Sequence, residues 1–157
     1  MADPHTISVT GKIFKDSKVL IVQRSWDEKY FPGKWVVPGG KLEYADYEDI
    51  TPNKDGHRYN IIKHVLKREV KEEVNLEIEN IQFLIDMVFL RESGIPTIIV
   101  SCTCDWVSGK VVLDEDQIDY AWVNLEEAKK YNLIDGVYDE LKIAFRKKLK
   151  KEFTHDY

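Results

Sequence analysis

The stretch Arg68-Glu69-Val70-Lys71-Glu72-Glu73-Val74-Asn75-Leu76 decides how this chain is read. With the residues before it, it has helical apolar spacing, and a helix is predicted over about Tyr59 to Val74. On a wheel of about 100° per residue, Lys63, His64, Lys67 and Lys71 share a polar arc. Ile61, Ile62, Val65, Leu66 and Val70 spread over the opposite side, which should pack on a sheet. Val74 falls near Lys63 and breaks the pattern at the helix end. Glu69, Glu72 and Glu73, spaced i, i+3, i+4, fall side by side among the apolar residues. Adjacent carboxylates repel one another, more strongly when partly buried. A hard dication relieves that repulsion, and magnesium accepts a few carboxylates together with waters and substrate phosphates. A glutamate-rich solvated face is the competing reading, and the helix alone does not choose between them.

Outward from the helix, Tyr44 to Asn60 is rich in Asp, Tyr, Pro, Asn and Gly and reads as loop. Trp35-Val36-Val37 is a short strand stopped by Pro38-Gly39-Gly40. Ile7 to Phe14 and Val19 to Arg24 read as strands around the turn Lys15-Asp16-Ser17-Lys18. Further strands are predicted near Ile81 to Leu90, Thr97 to Trp106 and Tyr120 to Val123. A short helix is expected from Leu125 and a final one over about Tyr138 to Lys151. At 157 residues this pattern suits one layered α/β or α+β domain with an inserted loop at about 44–60.

Hydrophobic residues at 43% and charged residues at 32% belong to an ordinary globular chain. No apolar run is long enough to span a bilayer, and Met1-Ala2-Asp3-Pro4-His5 lacks the basic and apolar parts of a secretion signal. The expectation is a cytoplasmic protein with no membrane partner. The net charge of −5 argues against a nucleic-acid polymer as partner. The basic run Arg146-Lys147-Lys148-Leu149-Lys150-Lys151 continues the apolar spacing of Leu141, Ile143 and Ala144, and is expected to be a solvated helix face. Cys102 and Cys104, two apart in a strand, should share one face as reduced, packed thiols. His57 and His64 are expected at the surface.

The run from Arg68 to Leu76 resembles the second half of the Nudix box, G-x(5)-E-x(7)-R-E-U-x-E-E-x-G-U with U aliphatic, at every position but one. Pro38-Gly39-Gly40-Lys41-Leu42-Glu43 resembles its glycine-rich opening, and Ala121-Trp122-Val123-Asn124-Leu125-Glu126-Glu127-Ala128 the late strand and short helix of the same fold. Three departures stand out. Counting from Gly40, Asp46 takes the place of the first glutamate. Residues 47–67 number 21 where the pattern has seven, an excess of 14. Asn75 replaces the box glycine, a mild change, since Asn is the next-best residue for a helix end with positive φ.

The resemblance implies an α/β/α sandwich with a mixed sheet, and Mg-dependent hydrolysis of a diphosphate linkage. A (deoxy)nucleoside triphosphate or related small nucleotide is the implied substrate, with a monomer or homodimer as the assembly. Arg68, Glu69, Glu72 and Glu73 would form the catalytic set. The three glutamates and the Gly39 carbonyl would hold magnesium, or manganese in its place, while Arg68 fixes a box carboxylate. Arg24 and Lys41 are candidates to meet substrate phosphates. The general base is a box glutamate or an acid of Asp114-Glu115-Asp116-Gln117-Ile118-Asp119. Tyr44, Tyr47 and Tyr59 of the insertion could stack on a base as a lid. Two rivals remain. A nucleotide-sensing domain of this fold commonly loses box carboxylates, which this chain keeps, and an isopentenyl diphosphate isomerase needs a cysteine near the box.

Overall fold

The computed structural model describes residues 3–90, 92 and 94–154, the last four of them by backbone alone. Seven strands form one mixed sheet: β1 (Thr6–Lys15), β2 (Lys18–Arg24), β3 (Trp35–Val36), β4 (Gly39–Lys41), β5 (Glu77–Phe89), β6 (Thr97–Ser108) and β7 (Gln117–Val123). Helix α1 is Ile61–Val74, α2 is Leu125–Ala128 and α3 is Val137–Thr154. The order β3-β2-β1-β6-β5 contains one parallel pair, β1 with β6, and β7 lies on the other edge of β2.

Alternation along the central strands sends side chains to two cores. Val9, Ile13, Leu20 and Val22 meet Val65, Leu66, Val70 and Val74 of α1 on one face. On the other, Val19, Ile21, Trp35, Val37 and Val123 meet Ala128, Val137 and Leu141. The result is the expected α/β/α layering. Val74 is fully buried rather than stranded beside Lys63; the core contacts of α1 swing around toward its C-terminal end, where the wheel drawn for an isolated helix places a polar arc.

Other boundaries moved as well. Helix α1 begins at Ile61, because Asn60 sits at φ 63° and cannot continue a helix. The glycine turn carries strand β4, which pairs Gly39, Gly40 and Lys41 with Thr10, Val9 and Ser8. The segment Tyr44 to Asn60, read as loop, opens on a single 3-10 turn over Tyr44–Asp46. Strand β5 starts four residues earlier than expected, at Glu77. In α3, Ile143 and Leu149 are exposed while Leu141 and Ala144 are buried, so the apolar spacing stops short of the basic run. That run is not wholly solvated either: Lys148 binds Asp105 and Lys147 donates to the Phe83 carbonyl. Cys102 and Cys104 are buried free thiols, and burial pushes both up in pKa, which leaves them unreactive.

The sheet opens where the site lies. Strands β1 and β2 pair only at Phe14–Val19 and Lys15–Lys18, next to their turn. Beyond it they part: β4 takes over the edge of β1, and β3 pairs with β2 at Val22 and Gln23. The gap between the splayed strands is the mouth of a cleft.

Candidate active site

Arg68 is the hub of the charged cluster. Its Nη1 donates to Glu69 Oε1 at 2.8 Å and to Glu72 Oε2 at 3.0 Å, and its Nη2 to the Lys41 carbonyl at 3.0 Å. The remaining edge of the guanidinium forms a two-pronged pair with Asp46 through Nε and Nη2. Asp46, fully buried, also accepts from the Glu43 amide at 2.7 Å. The Arg68 hydrogen bonds hold the Asp46 carboxyl below the usual carboxylate range, and Asp46 in turn raises the guanidinium.

The three box glutamates part company. Glu69 is nearly covered, with its side chain 12% exposed, whereas Glu72 at 59% stands on the solvated flank; only Glu69 and Glu73 keep the apolar-side position expected of all three. The Glu69 carboxylate packs against Gly40 so closely that a Cβ there would lie 2.2 Å from its Cδ. Burial raises the Glu69 pKa, with Arg68 opposing. Glu73 goes further: it accepts the Gly39 amide N–H at 3.1 Å, and burial pushes it up to about 8. Glu69 and Asp114 add negative potential there, against a weaker pull from Arg24. Among the described residues no cationic side chain pairs with Glu73, nor do three ligating side chains converge into a closed metal cage. Two part-buried carboxylates against a glycine turn, one without a cationic side chain bonded to it, nevertheless suit a hard cation that takes its other ligands from water and substrate.

Asn75 ends α1 at φ 60°, as its place in the box requires, and its side chain donates to the Lys110 carbonyl. The chain then returns: Val112 and Asp114 donate their amides to the carbonyls of Val74 and Glu73. This fastens the acidic turn to the box helix and brings Asp114 beside Glu73, with its pKa raised by burial. Glu115 and Asp116 face a separate cleft with Ser25, Asp27 and Glu28, and Asp119 is exposed on β7.

Above Glu73 lies a cleft of about 320 Å³, walled by Arg24, Tyr30, Gly39, Lys41 and Gln117 among others. Both expected phosphate-binding residues are there. Lys41 is exposed, while Arg24 is committed in part, donating to the Tyr30 carbonyl and to Glu28, each at 2.9 Å. None of the residues lining the cleft comes from 47–60, and Tyr44 and Tyr59 are 68% and 62% exposed. The lid that Tyr44, Tyr47 and Tyr59 could have formed is therefore not part of this wall; the aromatic residue in it is Tyr30. His57 and His64 are exposed, as expected. Sequence reading missed Tyr30, Glu28 and Gln117, which reach the cleft through strand splay and a bulge that no local pattern announces.

A NUDIX domain model matches residues 4–143. The chain belongs to the Nudix family and is a pyrophosphohydrolase of that type; members of the family generally use divalent metal ions. Over 148 residues it is 28% identical to the nucleoside triphosphatase NudI of Escherichia coli O17:K52:H18 (strain UMN026 / ExPEC), covering 88% of this chain and 89% of that one. The crystal structure of the MutT protein from Methanosarcina mazei Go1 superposes with TM-score 0.67 at 25% identity, covering 96% of this chain and 99% of that one. That of the MutT NUDIX hydrolase from Burkholderia pseudomallei gives 0.69 at 17%, covering 89% and 98%. Among the described residues no helix is long and apolar enough to cross a membrane.

Proposed function

We propose that this protein hydrolyses a diphosphate linkage of a small nucleotide, a (deoxy)nucleoside triphosphate in the first instance, with magnesium as the cation. The observation that carries the reading is the part-buried Glu73 carboxyl, raised to about 8 and without a cationic side-chain partner, at the floor of a cleft that also holds Arg24 and Lys41. Such a group is held in place for a positive charge that arrives from outside the chain. The NudI relatives, named as nucleoside triphosphatases, support the choice of substrate class.

Glu69, Glu73 and, from the flank, Glu72 would hold the cation, which supplies charge neutralisation at the diphosphate and a more acidic water. The chain does the rest. Arg68 fixes Glu69 and Glu72 through one nitrogen, and Asp46 fixes Arg68. The Gly39 N–H orients Glu73, and the absence of a side chain at Gly40 gives the Glu69 carboxylate its seat. Lys41 and the free edge of Arg24 neutralise substrate phosphates. The proton released by the attacking water goes to an acid beside the cation, for which Asp114, fastened next to Glu73 by its amide hydrogen bond, is in place.

The test is a panel of nucleoside di- and triphosphates with magnesium, with phosphate and pyrophosphate detected separately. Turnover of triphosphates that disappears in Glu73→Gln supports the reading. Binding without turnover across the panel would overturn it in favour of a sensor.

A further inference from the structure

We propose that the side-chain amide of Gln117 selects the nucleoside part of the substrate, accepting a hydrogen bond from a neutral N–H or O–H donor on its base or sugar. The inference rests on reading the cleft as a nucleotide diphosphatase site.

Gln117 opens β7 and is only 6% exposed, yet its Oε1 has no hydrogen-bond partner. Among the described residues three buried side-chain oxygens lack partners, and two of them, on Thr10 and Gln117, belong to residues lining this one cleft. Buried amide oxygens are almost always paired in native proteins. Two orphans on residues that line one cleft point to a partner that comes with the ligand.

The backbone is shaped to put Gln117 there. Strands β2 and β7 pair Gln23 with Asp119 and then Arg24 with Gln117, so Ile118 is an extra residue in a β-bulge. Had the register run on, Ile118 would stand opposite Arg24, and Gln117 would point to the other face of the sheet. The bulge instead leaves Ile118 exposed at 45% and brings Gln117 to the side shared with Arg24. A buried amide is thereby exchanged for a surface isoleucine, an arrangement that costs apolar burial and leaves the Gln117 Oε1 without a partner in the chain.

Chemistry narrows the ligand. Of the other polar side chains lining the cleft, Arg24, Glu28, Lys41 and Glu73 are ionisable, and Ser8, Thr10 and Tyr30 carry neutral hydroxyls. Phosphate oxygens accept hydrogen bonds, so they suit Lys41 and a cation and offer nothing to an amide oxygen. Donors are found on the nucleoside: amino and imino groups of the base, hydroxyls of the sugar. Tyr30 brings an aromatic ring to the same wall, a surface on which a base can stack.

The experiment is kcat/KM for all four bases as ribo-, deoxyribo- and dideoxyribonucleoside triphosphates, on wild type, Gln117→Leu and Gln117→Glu, each checked for folding by circular dichroism. Gln117→Leu is expected to lower kcat/KM for the preferred nucleotide about tenfold, through KM, and to narrow the spread among nucleotides. Gln117→Glu keeps an acceptor oxygen and retains the order of preference. A base donor makes the loss depend on the base; a sugar donor makes it vanish with the dideoxy substrates. An unchanged profile in Gln117→Leu, or an equal loss with every base and sugar, overturns the role of Gln117. No turnover of any nucleotide by wild type overturns the reading of the site itself, and this inference with it.

Discussion

Asp46 and Arg68 lie 22 positions apart and meet in a two-pronged, part-buried ion pair across the inserted segment. The chain between them could have carried the acid away from the box. Instead the turn Tyr44–Asp46 sets it against the guanidinium before the insertion begins, and residues 47–60 loop outward without disturbing the contact. Because Arg68 also grips Glu69 and Glu72, Asp46 acts on the site through another residue: it is a positioning residue.

Its loss has a pH signature. The folded-state pKa of Asp46 lies below its unfolded value of 3.8, so the folded protein binds fewer protons between the two. The stability Asp46 contributes is present above the unfolded value and is lost as pH falls through the folded one. Asp46→Asn should cost about 1–3 kcal/mol in urea unfolding at pH 7, and the gap to wild type should close in strongly acid solution. A gap that persists unchanged at low pH would refute the ionic origin.

How much of this was legible follows from the range of the interactions. The carboxylates of α1, the Arg68 role and the αL cap at Asn75 are local matters of three to four residues, and the box spacing carried them. The place of Asp46 needed only that its local turn survive. The splay of β1 from β2 depends on their separate pairings with β4 and β3, and the bulge at Ile118 on the pairing of β2 with β7 nearly a hundred residues away, so Tyr30 and Gln117 were invisible. The misjudged Val74 and Glu72 share another cause: a wheel assigns faces relative to an assumed core, and here the core wraps further around the helix end than the apolar spacing indicates.

Glu73 should trade stability for function. A largely desolvated carboxyl with no cationic side chain bonded to it is destabilised by its own ionisation. In metal-free protein Glu73→Gln is therefore expected to melt at the same temperature as wild type or higher, while hydrolysis is abolished. Added magnesium should raise the melting temperature of wild type, by the ordinary stabilisation a ligand gives the state it binds, and leave Glu73→Gln unmoved. Equal magnesium shifts in both would remove Glu73 from the cation site.

The two turn glycines should fail in different ways. A Cβ on Gly40 would lie 2.2 Å from the Glu69 Cδ, the far end of a side chain that can swing aside. On Gly39 it would lie 2.3 Å from the Val9 carbonyl oxygen, inside the β1–β4 pairing. Gly40→Ala is thus expected to keep its melting temperature within a few degrees and lose at least about tenfold in kcat, by displacing a carboxylate of the proposed cation site. Gly39→Ala should lower the melting temperature markedly. The reverse ranking would contradict the packing of Glu69 on Gly40.

On the opposite face, Lys12 of β1 is 1% exposed and pairs with Glu140 of α3 at 2.6 Å and with Ser101. Burial lowers the Lys12 pKa, with Glu140 opposing. The folded state therefore releases the Lys12 proton at lower pH than the unfolded chain does, and stability rises with pH between the folded value and 10.5. Below that window the full cost of a buried ammonium is present, offset by its partner. Removing only the partner exposes the cost: Glu140→Gln should destabilise by about 3 kcal/mol, whereas Lys12→Met, which removes the charge itself, should be near neutral or stabilising. Neither residue touches the cleft, so kcat/KM should hold in every variant that folds. Chemical denaturation of both variants and of the double mutant checks this, since a double mutant as weak as Glu140→Gln would mean that the pair, rather than the lone ammonium, is what α3 needs.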